Sequence, residues 1–201
     1  MFSLNPSLQS YSWGSKTLIA DLRGEESPTQ HPQAELWYGA HPAAPADIAG
    51  VPLTDIIAAD PDRELGAAVR ARFGDRLPFL LKILAVAEPL SLQAHPSLAQ
   101  AQEGFRRENA QGIDVRAGNR NYRDDNHKPE LIVALTPFHA MAGFRPLAAT
   151  LELFAALDCP SLARYVGMID STGEEAVNLR MLFTTWITIP AAVRKQLIDY
   201  I

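Results

Sequence analysis

Ser91-Leu92-Gln93-Ala94-His95-Pro96 sets three polar side chains in an apolar neighbourhood. It follows an apolar run at residues 80–86 and precedes a helix start at Ser97. An extended backbone over residues 90–95 puts Ser91, Gln93 and His95 on one face and turns Leu92 and Ala94 into packing, by the strand period of two. A polar row in apolar surroundings needs a partner, since a buried polar group without one costs roughly 2–7 kcal/mol. A metal ion or a polar substrate meets that need. Further along, His127-Lys128-Pro129-Glu130 stands just before the apolar Leu131-Ile132-Val133-Ala134-Leu135. A carboxylate at the mouth of a strand complements a neutral Gln and His. Gln93, His95 and Glu130 therefore make a nitrogen/oxygen donor set suited to zinc or a similar divalent ion.

The rest of the chain bounds the possibilities. At 201 residues, 47% of them hydrophobic, it is long enough for one large domain or two small ones with a real core. A net charge of −5 argues against a general nucleic-acid binder, which needs a basic face to neutralise phosphate. No apolar run approaches the ~18–20 residues of a membrane span. The first residues, Met1-Phe2-Ser3-Leu4-Asn5-Pro6, lack the basic and apolar regions of a signal peptide. A single cysteine, Cys159, excludes an intrachain disulfide, and its place before Pro160 marks it as structural. The expected location is cytoplasmic.

Taken in order, residues 8–19 read as short extended pieces around a turn at Trp13-Gly14-Ser15, and residues 23–33 as a loop. Aromatic content makes residues 34–42 a strand, with Gly39 marking a bulge or a close backbone approach. A short helix over residues 52–57 stops at Asp60-Pro61, and a second runs from Arg63 to Arg72 and ends at Gly74. Residues 77–86 read as a central strand buried on both faces, interrupted by Lys82. Ser97 and Gln100 have capping-box spacing for a helix running toward Asn109. Residues 110–126 form a long polar loop. Residues 128–135 and 138–144 read as a strand pair turned at Thr136-Pro137. Helical spacing then takes over in three segments: from Leu147 to Leu157, from Gly173 to Trp186, and from Pro190 to Ile201. The expected organisation is a strand-rich part, residues 1–145, followed by an all-helical part, residues 146–201.

Five motifs in order, Tyr11-Ser-Trp-Gly-Ser, Ala34-Glu-Leu-Trp-Tyr-Gly-Ala-His-Pro, Leu80-Leu-Lys-Ile-Leu, Ser91-Leu-Gln-Ala-His-Pro and Asp125-Asn-His-Lys-Pro-Glu, make the chain resemble the type I phosphomannose isomerase family. The resemblance implies a mixed fold, mainly a β cupin-type barrel, with a helical domain and one zinc ion. It implies interconversion of mannose 6-phosphate and fructose 6-phosphate. By motif it makes Gln93, His95 and Glu130 three zinc ligands, assigns Glu35 and Lys128 to catalysis, and gives Trp13, Lys82 and Ser91 to substrate binding. The family's fourth ligand, a histidine, and its catalytic arginine lie in a second half that this sequence does not match. The expectation is therefore the N-terminal half of such an enzyme: an incomplete barrel, a truncated helical domain, and strand edges open to self-association or to a complementing C-terminal half.

The residue types suit that chemistry. Aldose–ketose isomerisation moves a proton between adjacent carbons through an enediol, whose developing charge a Lewis-acid metal stabilises. Lys82 and Lys128 are cations for a phosphate, and Ser91 is a hydroxyl donor. Trp13 offers a ring face to a sugar, and Glu35 takes or relays a proton. Each has a plainer reading. Lys82 can snorkel from a sheet edge, Glu35 can pair with a structural arginine, and His95 alone can be a structural histidine. His41 and His127 read as supporting or turn residues, His31 and His139 as surface or packing residues. Arg106-Arg107 and the series Arg116, Arg120 and Arg123 read as solvated charge. Two other functions compete: a non-catalytic fragment needing a partner chain to form the zinc site, and another cupin metalloenzyme such as an oxygenase. His-rich iron ligation would mark the latter, whereas one His stands here with Gln and Glu.

Overall fold

The structure is a computed structural model that describes residues 3–170 and 172–200. Met1-Phe2, which open the stretch compared above with a signal peptide, and Ile201, the end of the last helical pattern, lie outside the described residues. The chain divides into two compact units, one ending at Pro129 and the other beginning at Glu130.

In the first unit β1 (Ser7–Gln9) leads through a turn into α1 (Leu18–Arg23). This helix was not legible as such in residues 8–19. It starts because the Ser15 hydroxyl accepts from the backbone N–H groups of Thr17 and Leu18, both at 3.1 Å, and it ends at Gly24, whose φ of +66° a side chain would resist. β2 (Glu35–Tyr38) follows, then the small ladder of β3 (Asp47–Ile48) and β4 (Val51–Pro52). Next come α2 (Leu53–Ala59), α3 (Pro61–Leu65) and α4 (Ala67–Phe73). The single helix expected from Arg63 to Arg72 is two, because Gly66 sits at φ +77° and breaks it. Asp60 caps α3 by accepting from the Arg63 N–H.

β5 (Leu81–Leu84) completes an antiparallel sheet in the order β1-β2-β5. The central strand is thus β2, and residues 77–86 are not a strand buried on both faces. The ladder covers four residues, β5 lies at the sheet edge, and Leu81 is 61% exposed. Pro78 has no N–H to give a longer ladder. One face of the sheet carries Leu36, Tyr38 and Ile83, which pack with Ile19 of α1 and Ala85. Gly14 is the close approach that lets the first turn lie on this sheet: a Cβ there would meet the Ala34 backbone at 2.7 Å. Gly39 is a second, with Leu80 filling the space a Cβ would take.

The expected strand over residues 90–95 is not formed. Residues 89–97 carry no ladder, prolines stand at 89 and 96, and Leu92 is 77% exposed. The expected pair over residues 128–135 and 138–144 is likewise absent, and Leu131 (90%) and Met141 (91%) face solvent. A strand exists only where a second backbone accepts its donors, and no ladder forms along these described segments. Between them α5 (Leu98–Ala110) opens with the expected capping box: the Ser97 hydroxyl accepts from the Gln100 N–H, and the Gln100 side chain accepts from the Ser97 N–H.

The second unit is helical from Leu147. It contains α6 (Leu147–Ala156), a 3-10 turn at Pro160–Leu162, α7 (Ala163–Val166), α8 (Glu175–Thr188) and α9 (Ala191–Tyr200). Phe154, Cys159, Leu162, Tyr165, Leu182 and Leu197 form its core, with Trp186 stacked on Phe154 at 5.2 Å. The Glu175 carboxylate accepts from the Leu147 N–H at 2.6 Å, so α8 caps α6. No single described helix is long and apolar enough to cross a membrane.

Candidate functional site

The strand period places Glu35 and Trp37 on the face of the sheet opposite the core, and the register sets Trp37 directly beside Lys82 and Ser7. Glu35 is only 8% exposed, so its carboxylate needs partners. It has two: the Trp37 indole N–H donates to Oε2 at 2.6 Å, and the Lys82 Nζ lies 3.5 Å from the same oxygen. The Lys82 ammonium also stands 4.6 Å from the Trp37 ring centroid. The apolar stretch therefore holds its lysine as a paired cation, and Glu35 pairs with Lys82 rather than with an arginine.

His41 extends the cluster, its ring 4.8 Å from that of Trp37. Its Nδ1 accepts from the Ala43 N–H. Burial lowers its pKa below the ordinary 6.5, and the nearby Lys82 and Lys128 push the same way against the opposing charge of Asp124. Trp37 had been given no role in the site, and His41 only that of a supporting or turn residue. For Trp37 the signal was available, since it stands two residues from Glu35 on one strand.

His95 is held in a different way. Its Nδ1 contacts the Lys128 backbone carbonyl at 2.5 Å. A carbonyl can only accept, so Nδ1 is the donor in this contact and Nε2 lies on the other side of the ring. Metal-ligating histidines are commonly oriented in this way, by a carbonyl bound to the ring nitrogen that does not ligate. The contact joins two stretches 33 residues apart, the Ser91–Pro96 motif and the Lys-Pro-Glu motif. Ser91, Gln93, Lys128 and Glu130 are all exposed, and Glu130 is the first residue of the second unit. Trp13 is half-buried, stacks on Tyr11 at 5.5 Å, and its carbonyl accepts from Ala87 and Glu88. Among the described residues no three His, Cys, Asp or Glu side chains gather as a metal site. A Gln/His/Glu set contains only two such residues, and all three of its side chains are of metal-ligating type.

One reading of the loop after α5 is overturned. Arg120 is not solvated charge: it is 4% exposed and paired with the equally buried Glu108 at 3.1 Å. It donates to the carbonyls of Tyr122 and Ile113 and to the Asn109 side chain, at 2.6–2.7 Å. Glu108 in turn accepts from the N–H groups of Asn121 and Tyr122, and these bonds hold its pKa below the ordinary 4.5. Gly104 leaves room for the Tyr122 ring, which occupies the place of a Cβ. The loop leading to the Lys128 motif is thus anchored on α5. Arg106, Arg107, Arg116 and Arg123 are exposed, as expected of solvated charge.

Residues 1–147 match the family model for phosphomannose isomerase type I, catalytic domain. The chain belongs to the type I phosphomannose isomerase family. It is 46% identical to mannose-6-phosphate isomerase of Escherichia coli (strain K12) over 85% of its own length and 45% of the relative's. The Candida albicans (strain SC5314 / ATCC MYA-2876) enzyme of the same name is 32% identical over 98% of this chain and 43% of the relative. Among solved structures, the Salmonella typhimurium enzyme bound to substrate (f6p) and zinc superposes with a TM-score of 0.86 at 40% identity. That match covers all of this chain and 51% of the other. The chain spans about half the length of the curated relatives it matches.

Proposed function

We propose that this chain carries the zinc-binding half of the active site of a mannose-6-phosphate isomerase, acting on mannose 6-phosphate and fructose 6-phosphate in a cupin-type barrel. The observation that carries the proposal is the His95–Lys128 contact, in which the Nδ1 side of the ring is bound to a carbonyl where the family's two central motifs meet. The relatives bearing that name, and the zinc- and substrate-bound relative, support the substrate and the metal.

In this proposal Gln93, His95 and Glu130 hold the zinc, whose bound ion would supply Lewis-acid stabilisation of charge developing on the sugar oxygens. Lys82 and Lys128 offer ammonium donors to the phosphate or to an oxygen that gains charge, and Ser91 donates a hydroxyl. Glu35 is the carboxylate available to relay a proton, and Trp13 supplies an apolar face to the sugar ring. Turnover needs a fourth ligand and an arginine from residues equivalent to the relatives' other half. The exposed Leu131, Val133 and Leu135 favour that view, since an apolar strand sequence left bare is one that another segment covers. Without that segment the same residues would drive self-association.

The test is isomerisation of fructose 6-phosphate by the chain alone and by the chain mixed with the second half of the Salmonella enzyme. Turnover only on mixing is expected. Absence of turnover in a mixture that forms a stable complex would refute the proposal.

A further inference from the structure

We propose that Trp37 is a positioning residue that locks Glu35 and Lys82 into one rigid unit on the polar face of the sheet. The unit presents the ammonium to a phosphorylated sugar. The identity of that ligand rests on the function proposed above; the lock itself does not.

Three contacts converge on Trp37. Its indole N–H donates to Glu35 Oε2 at 2.6 Å, its ring lies 4.6 Å from the Lys82 ammonium, and its ring meets that of His41 at 4.8 Å. The Glu35 oxygen that accepts the indole proton is also the one facing Lys82, at 3.5 Å. A lysine–carboxylate pair is ordinarily loose, because two flexible side chains lose rotamer freedom to hold one geometry. A tryptophan has two side-chain torsions, one donor and one π face, and here each of the latter two meets one member of the pair. Packing alone does not explain the residue. The core lies on the opposite face, on Leu36, Tyr38 and Ile83, while Trp37 is half-buried among polar groups. A lysine held this way keeps its direction, so that a ligand anion meets an ordered cation.

Competitive acetylation of the whole chain, read by mass spectrometry with the exposed Lys16 as internal standard, tests the lock. Trp37→Phe keeps most of the ring and deletes the donor. It is expected to raise Lys82 labelling about threefold relative to Lys16, the scale of a lost constrained ion pair. Glu35→Gln should give a similar rise. A residue that merely fills space would leave Lys82 labelling in Trp37→Phe as in the wild type, and that result would overturn the proposal. If Trp37→Phe does not fold, the Trp37 indole proton resonance gives the same decision. It should move upfield in Glu35→Gln, where a neutral amide replaces the charged acceptor, and an unmoved resonance contradicts the lock. Fructose 6-phosphate added to the wild type complemented with a second half should protect Lys82. Failure to protect, with the Trp37→Phe effect intact, removes the sugar phosphate as ligand and leaves the lock standing.

Discussion

Two strand-like stretches of this chain have opposite fates. Residues 35–38 lie between two partners, with Leu36 fully buried against Ile19 and Ala85. Residues 131–135 are at least as apolar, yet Leu131 is 90% exposed and none of them enters a ladder. Strand propensity is a fit to neighbours rather than a property of the segment. The sheet face that carries Glu35, Trp37 and Lys82 is ordered because its other face has a core. The segment that follows Glu130 has the composition of a strand without the second backbone.

The largest expected effect lies within the first unit, at the buried pair of Glu108 and Arg120. Arg120→Ala strands the Glu108 carboxylate and leaves several carbonyls without donors. It should cost roughly 3–5 kcal/mol in denaturant unfolding, as expected for half of a buried ion pair. A loss below 1 kcal/mol would mean that the loop is not anchored on α5.

Two leucines, one in each stretch, should respond differently to truncation. Leu36→Ala should cost about 2–5 kcal/mol through lost burial and the cavity left behind. Leu131→Ala should stay within about 0.5 kcal/mol, as exposed substitutions do. Equal effects would show that residues 131–135 already have a partner.

The smallest effect concerns His41. Its folded pKa lies below 6.5, so below that value the unfolded chain binds the proton more readily than the fold does. The contribution to stability is full above pH 6.5 and is lost as pH falls through the folded pKa. His41→Gln should remove that part of the slope, so the difference in unfolding midpoint between wild type and variant should change between pH 7.5 and pH 5.5. A constant difference would mean that His41 does not titrate abnormally.

Legibility in the sequence followed the same division. Local signals survived: the Ser97–Gln100 capping box, the aromatic strand at Glu35–Tyr38, the helix at Leu53 and the helical spacing after Leu147 all appear. Features decided by distant partners did not. The expected row of Ser91, Gln93 and His95 needed a ladder that is not formed, and α1 was hidden because a serine hydroxyl rather than hydrophobic spacing starts it. Arg120 looked like solvated charge because nothing local announces that Glu108, twelve residues earlier, turns inward to meet it. In the candidate site, the residue types were readable from the motifs. The bond from His95 to the Lys128 carbonyl and the place of Trp37 beside Lys82 came only from contacts across the fold.

In the proposed site His95, oriented by the Lys128 carbonyl, ligates zinc together with Gln93 and Glu130. The decisive measurement is bound zinc per chain across a titration of buffered free zinc, on the wild type, His95→Ala and His139→Ala. The wild type and His139→Ala are expected to saturate at one zinc, and His95→Ala to lose at least about tenfold in affinity. Equal zinc in all three, or none in any, would contradict that assignment.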